Sequence, residues 1–168
     1  MKDASQNHNH TEKNNDDNSN AEPIKVMLAD DDEDDTHLFE EALNNTPLHT
    51  EFSTVGNGEE LMDNLHDPSI PNPDIIFLDI NMPKKDGKEC LKEIKSDDEL
   101  KDIPCIMYST SNNEKDINET FSSGANLYVS KPNSFNKIVS VLTLILTLKW
   151  NKLYTRPVKK EYVLSDKH

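Results

Sequence analysis

The chain has 168 residues, and its 32 acidic against 18 basic side chains give a formal net charge of −14 at pH 7. This length predicts one domain with tails, and the strong acidity argues against sequence-independent binding to nucleic acid or to an anionic membrane surface. Hydrophobic residues make up only 33% of the chain, but they occur in short runs, as is typical of a small packed core.

The cysteines and the apolar runs favour a cytoplasmic protein. Cys90 and Cys105 form no disulfide or metal-binding pattern, so a reduced protein is expected. Residues 1–23 contain no apolar signal region and are predicted to be a disordered polar leader. The longest apolar stretch, residues 138–148, is interrupted by hydroxyl side chains and is too short to span a bilayer. We therefore expect a soluble protein without a membrane segment.

From residue 24 onward, short apolar runs alternate with segments of helical periodicity. The predicted strands are residues 24–29, 52–55, 75–78, 103–108 and 127–129. A helix is expected after each strand, and the last one begins at Ser134. Because the strands are mostly continuous apolar runs, they predict a doubly wound α/β fold with a five-stranded parallel sheet and helices on both faces. We assign this domain to residues 24–150 and a basic C-terminal tail to residues 151–168.

Polar residues stand at the carboxyl ends of four predicted strands. In chain order they are Asp30 with Asp31, then Asp79, Ser109 and Lys131. Ligands of such sheets bind outside the carboxyl ends of the strands, so these side chains are expected to lie together. Three clustered carboxylates repel one another without a cation, and oxygen ligands of this kind predict Mg²⁺. Asp79 can then act as a nucleophile that forms an acyl phosphate, while Lys131 and the metal neutralise the oxygens and Ser109 donates a hydrogen bond.

Four motifs occur in one order along the chain. They are VMLADD at 26–31, FLDINMP at 77–83 followed by DG at 86–87, MYST at 107–110, and GA at 124–125 leading to YVSKP at 128–132. In this order and spacing they resemble the receiver domain of two-component response regulators. The resemblance is to the single-domain type, as in the chemotaxis regulator and the regulators paired with phytochrome-type histidine kinases.

The resemblance implies a role for each matching position. Asp79 is the expected phosphoacceptor, and Asp30 and Asp31 are the acidic pair that organises Mg²⁺. Asp79 and the backbone carbonyl of Asn81 are expected as further metal ligands. The remaining expected site residues are the hydroxyl residue Ser109, its neighbour Thr110, the switch aromatic Tyr128 and the salt-bridging Lys131.

The resemblance also implies a fold, a function and partners. The expected strand order is the flavodoxin-like 2-1-3-4-5, with a cis peptide bond before Pro132. Thr110 stands where the family usually has Ala or Gly, which bears on the access of water to the acyl phosphate. We expect a phosphoryl group to reach Asp79 from a sensor histidine kinase or a histidine phosphotransfer protein, and the signal to leave through protein contacts. The chain is expected to phosphorylate and dephosphorylate itself with Mg²⁺ but not to be an enzyme that turns over a substrate.

The acidic run also fits part of a calcium-binding EF-hand loop. Positions one, three, five and twelve of that loop would be Asp30, Asp32, Asp34 and Glu41. Position six, which needs Gly for a sharp turn, is Asp35, and a strand precedes the run where the motif needs a helix. This interpretation is therefore disfavoured, and residues 33–35 are interpreted as the solvated acidic start of a helix.

Two other functions use the same site. A magnesium-dependent phosphohydrolase of the haloacid dehalogenase type would share the nucleophile Asp79, but it needs a second acid two residues later, where this chain has Asn81. A degenerate receiver would only bind partners and would have lost some site residues, whereas every expected position is filled here.

The last predicted helix has two apolar stripes. The first consists of Ile138, Leu142 and Ile145, and the second of Val141, Leu144 and Leu148. A helix that is apolar on two faces needs a second cover, so a homodimer through this helix and the basic tail is predicted. The alternative is that the tail folds back over the second stripe of its own chain. The 18 residues after Trp150 are too few for a DNA-binding domain, in line with an output through protein contacts.

Overall fold

The computed structural model describes residues 21–150 and 157–165, so most of the predicted leader and parts of the tail lie outside the described residues. The strands are β1 Ile24–Ala29, β2 Thr50–Val55, β3 Ile75–Leu78, β4 Cys105–Ser109, β5 Leu127–Ser130 and β6 Val163–Leu164. The helices are α1 Glu33–Asn44, α2 Gly58–His66, α3 Gly87–Ser96, α4 Glu114–Ser122, α5 Phe135–Thr147 and α6 Lys159–Tyr162. Among these, no helix is long and apolar enough to cross a membrane.

All strands of the sheet are parallel, in the order β2-β1-β3-β4-β5-β6. The predicted order 2-1-3-4-5 is confirmed, and β6, from the tail, extends the sheet at the β5 edge. The sequence predicted five of the six strands. It missed β6 because a strand of two residues is too short to show a pattern of apolar residues. The fourth strand also begins later than predicted, at Cys105, since Ile103 and Pro104 lie in the preceding loop.

Each face of the sheet has its own apolar core. Along β3, Ile76 and Leu78 face the core under α2 and α3, whereas Ile75 and Phe77 face the core under α1 and α5. Both faces are buried, which explains why this central strand is apolar at every position. On the α1 side, Phe39 packs against Phe77 with ring centroids 5.0 Å apart.

Side chains at the helix ends set where the helices start and stop. Helix α5 was predicted to begin at Ser134; Ser134 is its N-cap, and the Ser134 side chain accepts the N–H of Lys137. Gly124 follows the end of α4 with φ of +100°, a conformation that favours glycine. The peptide bond before Pro132 is trans, so the predicted cis bond is wrong. Trans is the isomer favoured for most X–Pro bonds.

The described part of the tail, residues 157–165, lies along the β5 edge of its own chain, where β6 pairs with β5. We call this segment the C-terminal strap. Its anchor is Tyr162, which is fully buried. Leu164 packs with the core under α5 and lines a cavity together with Val141 of the second stripe. Leu144 stays 53% exposed. The strap folds back on its own chain, as in the predicted alternative, but it pairs with β5 and places Tyr162 in the core on the opposite face from α5 instead of covering the second stripe.

Candidate functional site

The sheet register brings the predicted site residues to one edge. Ala29 and Leu78 are paired neighbours, and the N–H of Asp79 donates to the Ala29 carbonyl at 3.0 Å, so Asp30 and Asp79 leave the sheet side by side. On the other side of β4, the N–H of Lys131 donates to the carbonyl of Ser109 at 2.9 Å. Residues far apart in sequence therefore meet because parallel strands end together.

Lys131 is the centre of this site. Its ammonium nitrogen lies 2.8 Å from a carboxylate oxygen of Asp30, 2.8 Å from one of Asp35 and 3.2 Å from one of Asp79. It also stands 5.5 Å from the ring centroid of Tyr108. The Lys131 side chain is only 9% exposed, so these charges interact with little screening by water.

Burial and charge oppose each other in this cluster. Burial alone would lower the pKa of Lys131, but hydrogen bonds to Asp30 and Asp35 and the charge of Asp79 hold it above its ordinary value. Burial raises the pKa of Asp30, although the hydrogen bond from Lys131 acts in the opposite direction. Lys131 therefore stays charged at neutral pH.

The donor set fits a hard divalent cation. Asp30, Asp31 and Asp79 each offer a carboxylate oxygen, and these atoms all lie within 4.8 Å of one another. Asp31 is exposed, while the other two are buried. With Asp35, the site holds four carboxylates and the single ammonium of Lys131, so negative charge is in excess. Oxygen ligands with an open side toward solvent suit an ion such as Mg²⁺ or Mn²⁺ that keeps several waters.

Hydroxyl groups connect the site to α4 and β5. Ser109 is fully buried, and its hydroxyl accepts the N–H of Ser111 at 3.2 Å. The hydroxyl of Tyr128 donates to the Ser111 carbonyl at 2.8 Å, and the Ser111 hydroxyl donates to Asp116 at 2.6 Å. Thr110 is exposed at the same edge. The predicted Ser109 and Tyr128 are thus linked through Ser111, which the sequence did not single out.

The loop after β3 approaches the backbone of Asp79 closely. At Gly87, a Cβ atom would overlap the Asp79 carbonyl oxygen and lie 2.9 Å from the Cα of Ile80. The N–H of Gly87 donates to the carbonyl of Ile80 at 2.8 Å. The predicted backbone ligand Asn81 is exposed in this same loop. Glycine at position 87 is therefore needed for the close backbone packing behind Asp79.

Asp35 is the site residue that the sequence interpretation missed. We interpreted it as part of a solvated helix start, but its carboxylate pairs with Lys131. The available signal was its position, three residues after the N-cap Asp32 of α1, since side chains there point back toward the start of the helix. The start of α1 directly after this cap also excludes an EF-hand, because β1 precedes it where a helix would be needed.

Fold and site together define an α/β protein with an acidic, lysine-containing site at the carboxyl edge of its parallel sheet. The family model described as "Response regulator receiver domain" matches residues 26–143. Response regulator Rcp1 of Synechocystis sp. is 32% identical over 139 residues, which span 80% of this chain and 94% of Rcp1.

Two solved structures are similar as well. The Mn²⁺-bound form of Rcp1 has 31% identity and a TM-score of 0.69, and the match covers 81% of this chain and all of Rcp1. The phosphorylated cyanobacterial phytochrome response regulator RcpA has 37% identity and a TM-score of 0.71, with coverage of 82% of this chain and all of RcpA.

The chain therefore belongs to the response regulator receiver domain family. Its function is that of a receiver in two-component signalling, a phosphoacceptor rather than an enzyme with a substrate of its own. The predicted fold class and class of function are confirmed.

Proposed function

We propose that Asp79 is the phosphoacceptor of this receiver. A carboxylate oxygen of Asp79 attacks the phosphorus atom of the donor and forms a new O–P bond. The bond from phosphorus to the donor breaks, and its electron pair leaves with a histidine imidazole or with acetate. The single observation that carries this proposal is the position of the Asp79 carboxylate, 3.2 Å from the Lys131 ammonium and beside two further carboxylates.

We propose Mg²⁺ as the cation of the site, held by Asp30, Asp31, Asp79 and the backbone carbonyl of Asn81. When bound, the ion neutralises the phosphoryl oxygens and orients them. The acidic cluster supports a divalent ion, and the Mn²⁺-bound form of Rcp1 shows that a similar protein binds one. Mg²⁺ is the choice that suits a site with few protein ligands and several waters.

Lys131 and Ser109 would act directly on the phosphoryl group, and Thr110 would act on the access of water to it. Lys131 remains charged and can donate N–H groups to its oxygens, and the Ser109 hydroxyl can donate once it turns from Ser111. Hydrolysis follows when water attacks phosphorus, releases inorganic phosphate and restores the Asp79 carboxylate. Thr110 is exposed at the site edge, where its size would limit the access of that water.

The proposed donors are a sensor histidine kinase or a histidine phosphotransfer protein, and the proposed output is a change in protein contacts. The similarity to RcpA supports a phytochrome-type kinase as one such donor. Phosphorylation adds about −1.5 to −2 charge, enough to draw Ser109 and Lys131 inward and to change the surroundings of Tyr128. Cys90 and Cys105 are buried free thiols, which supports a reducing compartment such as the cytoplasm.

Acetyl phosphate and Mg²⁺ test the phosphoacceptor directly. We expect intact-mass spectrometry to show one added phosphoryl group that is lost on hydrolysis. Asp79→Asn removes the nucleophile and should abolish the addition. Asp63→Asn makes the same chemical change at an exposed position on α2 and should leave it unchanged. Equal phosphorylation of the Asp79→Asn protein would refute the assignment.

Calorimetric titration tests the metal. Asp31→Asn should weaken Mg²⁺ binding strongly, because Asp31 lies in the carboxylate cluster. Asp34→Asn, an exposed change in the first turn of α1, should have little effect. Equal losses in the two variants would contradict this ligand set.

A homodimer through α5 remains a prediction. Leu144, the exposed member of the second stripe, is the residue that would carry such an interface. Sedimentation of the full chain beside a Leu144→Glu variant tests it, with and without acetyl phosphate. A monomer at every concentration and in both states would rule the dimer out.

A further inference from the structure

The ammonium of Lys131 has no spare donor. An ammonium group has three N–H donors, and three carboxylates accept from this one. They are Asp30 and Asp35 at 2.8 Å each, and Asp79 at 3.2 Å. The proposed phosphoacceptor has the longest of these contacts, so in the unphosphorylated chain Lys131 is held mainly by its other two partners.

The two close partners differ in how easily they can release Lys131. The Asp30 side chain is completely buried, and its other oxygen already accepts the N–H of Asp32. Without Lys131, Asp30 would be a buried charge with no cation, which is costly. The Asp35 side chain is 34% exposed, so water can solvate it when the ammonium leaves. Asp35 is therefore the partner that gives Lys131 up at the smaller cost.

Asp35 is also well placed to hold the ammonium. Its backbone N–H donates to the N-cap carboxylate of Asp32 at 3.0 Å, which fixes the first turn of α1 against the end of β1. The side chain at this position points back toward the sheet edge. Asp35 is thus positioned by the start of α1, whereas Asp79 and Lys131 are positioned by the ends of β3 and β5.

We propose that Asp35 is a positioning residue that holds one N–H of Lys131 until Asp79 carries a phosphoryl group. This inference rests on the proposed function of Asp79. A phosphoryl group presents three strong acceptor oxygens and about −1.5 to −2 charge, and it competes for more than the single N–H that Asp79 now accepts. Lys131 then leaves Asp35 for the phosphoryl oxygens. Asp35 thereby disfavours the phosphorylated state by the free energy of its ion pair.

The test compares the affinity for beryllofluoride, a phosphoryl mimic that binds carboxylates, by fluorine NMR at saturating Mg²⁺. Asp35→Asn weakens the resting ion pair and should tighten beryllofluoride binding roughly threefold to fivefold, the range for a partly exposed ion pair. Asp35→Glu keeps the charge and should return the affinity to that of the natural chain. Asp34→Asn removes the neighbouring charge without a contact to Lys131 and should change the affinity less than Asp35→Asn.

Four outcomes would overturn the proposal. One is an equal effect of Asp35→Asn and Asp34→Asn on the affinity, which would show that loss of any nearby negative charge acts in the same way. Another is weaker beryllofluoride binding by Asp35→Asn, and the third is a higher Mg²⁺ requirement in that variant, which would make Asp35 a metal ligand. A change in the melting temperature alone, with unchanged affinity, would also count against it. If the natural chain accepts neither beryllofluoride nor a phosphoryl group on Asp79, the proposed function itself fails.

Discussion

Asp79 and Tyr162 are both buried, but the two regions around them are stabilised in different ways. Asp79 leaves the central strand of the sheet, and its backbone is fixed by hydrogen bonding to β1 and by the close approach of Gly87. Tyr162 belongs to the C-terminal strap, whose pairing with β5 comprises only Val163 and Leu164. The first region cannot change without moving the sheet, whereas we expect the second to detach as a unit.

The contacts in the two regions also differ in kind. Around Asp79 the contacts join charges whose positions follow from the ends of strands. Around Tyr162 they are apolar and aromatic: its ring centroid lies 5.1 Å from that of Phe121 and 6.1 Å from that of Tyr128. Its hydroxyl donates to Thr120 at 2.9 Å. The acidic site is thus built on the central sheet, and the strap is added at its edge through a small number of aromatic and polar contacts.

Gly87→Ala should have the largest effect, since it breaks the rigid region. In a helix, alanine is normally more favourable than glycine by up to about 1 kcal/mol. Here its Cβ would overlap the Asp79 carbonyl, so we expect a loss of about 1–3 kcal/mol of folding free energy. A displaced Asp79 should also lower the phosphorylation rate by about a hundredfold.

Gly56→Ala is the matched control, because nothing lies within 4 Å of its added Cβ. Chemical denaturation and phosphorylation by acetyl phosphate measure both effects. If Gly87→Ala had the stability and phosphorylation rate of the Gly56→Ala protein, the loop behind Asp79 would be able to shift easily and the region around Asp79 would not be rigid.

Tyr162→Ala tests whether the strap detaches alone. Truncation of a buried aromatic residue in a core typically costs about 3–5 kcal/mol, and we expect that loss for the fully buried Phe39. For Tyr162→Ala we expect a loss of folding free energy below about 2 kcal/mol. If the strap unfolds locally, the loss cannot exceed the free energy with which the strap is attached. Tyr162→Phe, which removes only the hydroxyl, should cost about 1 kcal/mol.

Hydrogen exchange and urea denaturation check this second prediction together. In Tyr162→Ala, amide protection should be lost in the strap and at the β5 edge but kept in β1 and β3. A loss for Tyr162→Ala as large as that for Phe39→Ala would make the strap an integral part of the core.

The sequence predicted the central region well for a physical reason. Residues 75–78 are buried on both faces, so a continuous apolar run identifies the strand, and the acid after it marks the sheet edge. Polar residues at the ends of the predicted strands were therefore expected to meet at the sheet edge. The structure brings four of them together: Asp30, Asp31, Asp79 and Lys131.

The same rule could not identify Asp35 or the strap. An acid in the first turn of a helix is favoured by the helix dipole alone, so its pattern says nothing about a distant lysine. The strap has a two-residue strand and a single buried aromatic residue, Tyr162. Neither feature produces a repeating pattern of apolar residues in the sequence. Its partners Thr120 and Phe121 lie about forty residues earlier, at a distance that only the tertiary fold defines.

Asp116 on α4 connects the two regions, and its titration gives the smallest expected effect. Its carboxylate lies 2.5 Å from the ammonium of Lys88 and accepts the Ser111 hydroxyl, while Thr120, one turn later, binds Tyr162. The hydrogen bonds from Lys88 and Ser111 hold the pKa of Asp116 below its ordinary value of 3.8. Because the folded pKa is the lower one, this contribution to stability is present above about pH 4 and is lost as the pH falls through the folded pKa.

We therefore expect the folding free energy of the natural chain to fall more steeply between about pH 5 and pH 3 than that of Asp116→Asn. Asparagine still accepts a hydrogen bond from Ser111, so the variant removes chiefly the charge that Lys88 contacts. The difference at neutral pH should be at most about 1 kcal/mol, as for ion pairs near a surface, and it should shrink at high salt. Urea denaturation across this pH range measures it. Parallel pH profiles for the two proteins would mean that Asp116 adds no charge-dependent stability, and that α4 is held between site and strap by packing and neutral hydrogen bonds alone.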